Sequence, residues 1–231
     1  MIQGYNSSIN DLNGGSGMPQ SYANCSSGSY DTSQPLIEGT SRNSGVGIEW
    51  GEYLSYASAT SDWVRWVDIR NFNITNCEWG VRVFGQNNTF TNIYIYEVSS
   101  IDTMAKQYVG CGIRFWGRSA TFRDVAGDKW KAEKASFQNV ASNCVVYNSA
   151  YMAFGVVNGH SNEFSNCMAF ADDNSSGQLS STDYYFDVTN SDDNDIIDCE
   201  VERHRDGTTA LAHVGHGYVL SGYEDDGYEA V

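Results

Sequence analysis

Over 231 residues, 29 Asp and Glu stand against 13 Lys and Arg, and the resulting formal charge of −16 opposes any phosphate backbone and excludes nucleic acid as a partner. Hydrophobic residues make up 41% of the chain, enough for one elongated core and a single domain over 1–231. No stretch reaches the ~20 apolar residues a membrane span needs. The acidity suits a protein that requires a cation, and it equally suits an extended β-protein kept soluble by its charge.

Residues 1–10 lack a basic start and an apolar run, so no secretory signal is visible there. Met1 to Asn6 reads like the middle of a first coil, and Glu224 to Glu229 follows directly on a last strand. Open sheet edges need caps, so the expectation is a piece of a longer protein, or end-to-end or lateral self-association of copies. A Gly-, Ser- and Asn-rich loop is expected over about 13–44, rejoining the body at Pro35-Leu36-Ile37.

From Ile69 onward a phrase returns: Phe90-Thr91-Asn92-Ile93, Phe122-Arg123-Asp124-Val125, Phe137-Gln138-Asn139-Val140, Phe164-Ser165-Asn166-Cys167 and Ile196-Ile197-Asp198-Cys199. Upstream lie strands such as Gly80-Val81-Arg82-Val83-Phe84-Gly85 and Gly112-Ile113-Arg114-Phe115-Trp116-Gly117. The intervals are 21 residues from Ile69 to Phe90, 32 from Phe90 to Phe122, 27 from Phe137 to Phe164 and 32 from Phe164 to Ile196. Each holds two or three short period-2 strands and no 3.6 periodicity, which disfavours helical solenoids and predicts an all-β parallel β-helix. Twenty-three Gly and only two Pro agree, since such a fold turns every few residues. The Phe122 to Phe137 interval of 15 residues is too short for a coil, and an irregular Lys-containing loop is expected over about 126–136.

Cys77, Cys144, Cys167 and Cys199 each follow an Asn or Asp at one point of the repeat, which predicts a buried column of thiols, with disulfides between neighbours as the alternative in an exported protein. Asp172-Asp173 and Asp192-Asp193 are expected at turns, either as Ca²⁺ ligands or as solvated turn residues.

In the Gly-Ile-Arg-Phe-Trp type of strand the apolar residues alternate inward. One outward row then contains Glu49, Arg82, Arg114, Gly155, Asp187 and Val219, and the next contains Phe84, Trp116, Val157, Thr189 and Ser221. Arginine forks suit a uronate carboxylate and aromatic faces suit sugar C–H edges, so Glu49, Phe84 and Trp116 are candidate substrate-binding residues. The bland alternative is a wet face of balanced charges, where each cross-strand pair contributes ~0.2–1 kcal/mol.

The alternation of such strands with Asn-x-Phe-x-Asn-Cys, as in Met152 to Cys167, resembles the right-handed parallel β-helices of the pectin-lyase-like superfamily over roughly residues 35–222. That resemblance implies an extracellular, cell-surface or virion-surface protein with polysaccharide as partner. The superfamily holds polysaccharide lyases, glycoside hydrolases, uronan epimerases, tailspikes and adhesins. Tyr184-Tyr185-Phe186-Asp187-Val188-Thr189 is similar to the catalytic strand of the mannuronan epimerase and lyase group at Tyr184, Phe186 and Asp187, with Val188 and Thr189 where that group has Pro and His. The resemblance implies Arg82 and Arg114 as carboxylate neutralisers with Tyr184 and Asp187 in proton transfer, leaving the base unassigned among His204, His213 and His216. Val214-Gly215-His216-Gly217 and Ala171-Asp172-Asp173 superficially resemble polygalacturonase motifs, without that family's Asn-Thr-Asp. A lyase or epimerase of an acidic polysaccharide is one expectation. A non-catalytic segment of an adhesin, tailspike or fibre is the other.

Overall fold

The computed structural model describes residues 1–3, 18–19, 21–27, 34–42, 44–50, 64–98, 111–117, 136–173, 182, 184–189, 191, 193–205 and 216–221. Along the chain, β1 (Ile2–Gln3) and helix α1 (Tyr22–Ser27) precede β2 (Leu36–Glu38), β3 (Val46–Trp50), β4 (Val64–Arg65), β5 (Asp68–Thr75), β6 (Trp79–Val83), β7 (Gly85–Gln86) and β8 (Thr89–Tyr96). The later coils contribute β9 (Cys111–Trp116), β10 (Ser136–Phe137), β11 (Val140–Ser142), β12 (Val145–Tyr147), β13 (Met152–Val157), β14 (Gly159–His160) and β15 (Glu163–Ser165). They continue with β16 (Met168–Asp173), β17 (Tyr184–Thr189), β18 (Asp195–Ile197), β19 (Glu200–Arg205) and β20 (His216–Ser221).

Strands a coil apart pair in parallel, as in β6 on β9, β13 on β9 and β17 on β13, so the chain winds as a parallel β-helix. One six-stranded sheet runs β20-β17-β13-β9-β6-β3, a short one runs β14-β10-β7-β4, and a ten-stranded sheet takes the remaining strands. Phe90, Phe115, Phe154, Phe164 and Phe186 fill the bore, with Phe115 and Phe164 stacked at 5.2 Å and Phe154 and Phe186 at 4.9 Å.

The corners explain the repeating Asn. Asn71, Asn92, Asn143, Asn166 and Asp198 all have φ between 51° and 64°, and the pairing of Arg70 with Thr91 and of Thr91 with Ser142 places them on one corner. Short amide and carboxylate side chains tolerate this left-handed backbone where branched ones do not. A second edge is held by side chains. Asn88 donates to Asn139 (2.9 Å), Asn139 to Asn162 (3.0 Å) and Asn162 to Asn194 (3.0 Å), a buried amide ladder that satisfies itself coil after coil.

Three expectations shift. Phe137-Gln138-Asn139-Val140 is a different part of the coil: Phe137 pairs with Gln86 and His160, whereas Ala141 takes the place of Phe90, so Ala141-Ser142-Asn143-Cys144 is the true phrase. The cause is an Asn at both edges of the same short face, which makes two registers look alike. Cys77 leaves the thiol column for the same reason. It follows Asn76, a left-handed residue just after β5, whereas the slot preceding Cys144, Cys167 and Cys199 in the register holds Phe72 and then Ile93. All six cysteines are free. Finally, the stretch at about 13–44 includes α1, and Met18 and Cys25 pack with Tyr94, Val145, Tyr147 and Phe170 on the outside of the ten-stranded sheet. Phe122 and the Lys-containing stretch up to residue 135 lie outside the described residues.

Candidate functional site

The expected outward row exists. Glu49 pairs with Arg82, Arg82 with Arg114, Arg114 with Gly155, Gly155 with Asp187 and Asp187 with Val219. Beside it, Trp116 pairs with Val157, Val157 with Thr189 and Thr189 with Ser221, and the Phe84 ring stacks on Trp116 at 5.5 Å.

What strict alternation misses is a break at the start of each strand. A Cβ on Gly80 would meet Ile95, and one on Gly112 would meet Val146, so these positions face inward. So do their successors Val81 and Ile113, which lie in the bore cluster, as do the matching pairs Ala153-Phe154 and Tyr185-Phe186. Two consecutive inward residues put the preceding position outside. Trp79, Cys111 and Met152 therefore cluster with Trp116, Tyr151 and Tyr184 on the outer side, beside the arginine row. Tyr184 and Asp187 thus share a face that period-2 reading assigns to only one of them.

This face is not wet. Arg114 is 3% exposed, Asp187 7%, and Cys111 and Met152 are fully buried. The Arg114 guanidinium lies 4.1 Å from the Trp116 ring centroid and 5.7 Å from that of Trp79. Its Nη1 donates a long contact to the Cys111 sulfur at 3.9 Å, its Nε has no hydrogen-bond partner, and no carboxylate among the described residues pairs with it. Arg82 differs. It donates to Glu49 Oε1 from Nη2 at 2.5 Å and from Nε at 3.1 Å, at the partly exposed rim.

Asp187 sits two strands from Arg114, about 10 Å between backbones. Burial raises its carboxyl above the usual range, while a 2.7 Å hydrogen bond from the Thr189 hydroxyl and the Arg114 charge pull the other way. Between them Gly155 has no side chain, and the Met152 thioether occupies its place: a Cβ there would lie 2.1 Å from Sδ. Tyr151, absent from the sequence-derived candidates, packs edge-on against Tyr184 at 5.3 Å. Its phenol is pushed up by burial and by the nearby Cys111, Asp187 and Tyr184, with Arg114 opposing. Burial also pushes the Cys111 thiol up to about 11. Tyr151 escapes a sequence reading because it precedes its strand and belongs to no repeating phrase. The pairing also sets the His216 backbone beside Tyr184.

Asp172, Asp173 and Asp193 lie on other elements. Asp172 and Asp173 end β16 on the ten-stranded sheet, paired with His204 and Arg205, so they continue a strand instead of forming the expected turn. The strand runs on because the backbone of β19 extends alongside to the same length. Asp193 occupies a left-handed position with φ 48°, and Asp192 lies outside the described residues. Among the described residues, no group of three or more His, Cys, Asp or Glu is placed to hold a metal ion. His204 Nε2 instead approaches Glu202 Oε1 at 2.5 Å. No helix among the described residues is long and apolar enough to cross a membrane.

Comparison with protein-family models, with curated proteins and with solved structures returns no match.

Proposed function

We propose that this chain is a pectin-lyase-like, carbohydrate-active β-helix that receives a uronate carboxylate of an acidic polysaccharide at Arg114. The observation that carries this reading is the buried, unpaired guanidinium. Desolvating a cation costs several kcal/mol, and a carboxylate brought against the guanidinium would offset that cost with a charge-assisted fork. Trp116, the partly exposed member of the stack it forms with the buried Trp79 and Phe84, offers apolar surface for sugar C–H edges in the same strip.

The chemistry such a site favours is removal of the proton next to that carboxylate. Arg114 would stabilise the negative charge that develops on the carboxylate oxygens. Asp187, whose burial makes its ionised carboxylate a stronger base, would accept that proton, and the Tyr184 and Tyr151 hydroxyls are the donors at hand. In elimination, the released electron pair forms a ring double bond and expels the glycosidic oxygen, which takes a proton from a donor. In epimerisation, the carbon is reprotonated on its opposite face.

Alginate, pectate and chondroitin, each with and without Ca²⁺, test the reading. A lyase yields an unsaturated, ultraviolet-absorbing product; an epimerase changes the uronate anomeric signals in NMR without it. The expected result is one of these with wild type and neither with Arg114→Gln. Absence of both, together with absence of binding, overturns the proposal.

A second reading, a non-catalytic segment that self-assembles, draws on β20. Tyr218 and Leu220 continue the inward ladder of Phe186 and Val188 yet are 52% and 76% exposed. Concentration-dependent association in analytical ultracentrifugation, lost in Leu220→Glu, would favour it.

A further inference from the structure

Trp66 lies away from the Arg114 strip, on the corner that follows β4. Its neighbours on that corner follow from the pairing of Arg65 with Gln86, Gln86 with Phe137 and Phe137 with His160: they are Asn87, Gln138 and Ser161, with φ of 56°, 51° and 54°. Trp66 shares their left-handed backbone at φ 63°. Small polar side chains adopt it at little cost, whereas for a bulky ring it is an outlier. The indole also receives nothing in return from the fold. It is 77% exposed and makes no hydrogen bond, ion pair or ring contact with the described residues. A strained backbone and a large bare aromatic at one position are two costs without an internal compensation, and that combination marks a surface built to meet something else.

The surroundings say what. Arg65, the preceding residue, is exposed and forms no ion pair among the described residues. An exposed aromatic face with an exposed guanidinium on the adjacent residue is the chemistry that grips an acidic pyranose: C–H edges on the ring, a carboxylate on the fork.

We propose that Trp66, with Arg65, forms a second carbohydrate-binding subsite, a stacking platform for one uronate ring of a polysaccharide, separate from the Arg114 strip. It rests on the reading of this protein as a binder of acidic glycans, and not on any chemistry at Arg114. Asn at 66 would suit the left-handed corner better than Trp, so the ring adds nothing to the fold at this position.

Affinity electrophoresis of the full chain in gels containing pectate or alginate tests it. Trp66→Asn should weaken retardation about tenfold, as expected for losing a stacked ring. Trp66→Phe should stay within about threefold of wild type, since a smaller ring still stacks. Trp66→Asn should also melt no lower than wild type, since Asn87 holds the same conformation one coil on. If Trp66→Asn keeps full affinity while Arg114→Gln loses binding or turnover, the Trp66 subsite falls and the proposed function stands. If Trp66→Asn loses affinity but also melts well below wild type, the loss is structural and the subsite falls. If wild type is retarded by neither polymer, the Trp66 subsite falls, and the proposed function falls with it only if chondroitin too is neither bound nor converted.

Discussion

Arg82 and Arg114 occupy the same row on adjacent coils and face the same way, yet one is a surface ion pair and the other a buried cation. Arg82 reaches Glu49 at the rim, where water and counter-charge are both at hand. Arg114 lies one coil further in, between Trp116 and Trp79, with a thiol as its nearest donor target. The difference teaches that a repeated side chain in a solenoid is not a repeated function. Gly155 follows Arg114 where Glu49 precedes Arg82, and the missing side chain removes the natural partner.

The largest effect that sharpens this contrast is on binding and turnover. Arg114→Gln should lower activity on the responsive uronan by ~100-fold or more, the scale of removing a charge-stabilising donor, while Arg82→Gln changes it by less than about fivefold. Steady-state assays on the two variants decide it, and equal losses would erase the distinction. Stability should move in the opposite sense. Replacing the uncompensated guanidinium in Arg114→Met should raise unfolding free energy by ~1–4 kcal/mol in urea titrations.

Next comes the slot between Arg114 and Asp187. Gly155→Ala drives a methyl into the Met152 thioether and should cost ~1–3 kcal/mol, and Met152→Ala in the same chain should return part of it. A double-mutant cycle measures the coupling; strict additivity would mean Met152 is not the obstacle.

The Asp187 carboxyl supplies a pH test. Because burial raises its folded value, the native state holds a proton that the unfolded chain has already released. Stability from this group is therefore complete below the ordinary carboxylate range and is lost as pH rises through the raised value. Denaturation across that window should show a falling slope that Asp187→Asn flattens. The smallest effect belongs to the rim: Glu49→Gln should shift stability by ~0–1 kcal/mol, less in high salt.

Much of the arginine row is legible in the sequence. The succession from Glu49 through Arg82, Arg114 and Asp187 to Val219 follows from counting along apolar alternation, since parallel in-register stacking leaves few ways to align Gly-x-Arg-aromatic segments. The failures share a cause. Phe137-Gln138-Asn139 mimics the true phrase because two corners of one coil both use Asn, and Cys77 strays for the same reason. Tyr151 carries no pattern at all, and its place depends on how Tyr184 packs. The strain at Trp66 is invisible in sequence, where a Trp between Arg65 and Val67 has no φ attached.

The chain's own periodicity determined that it coils as a parallel β-helix, with Phe in the bore and Asn at the corners. Backbone hydrogen bonding and the tolerance of Asn for left-handed φ are local rules that repeat with each coil. Only the tertiary structure decided which outward residues are dry. Burial of Arg114 and Asp187 depends on the double inward step at Gly80, Gly112 and Ala153, on the glycine at 155 and on rings from neighbouring coils, and none of these is local in sequence.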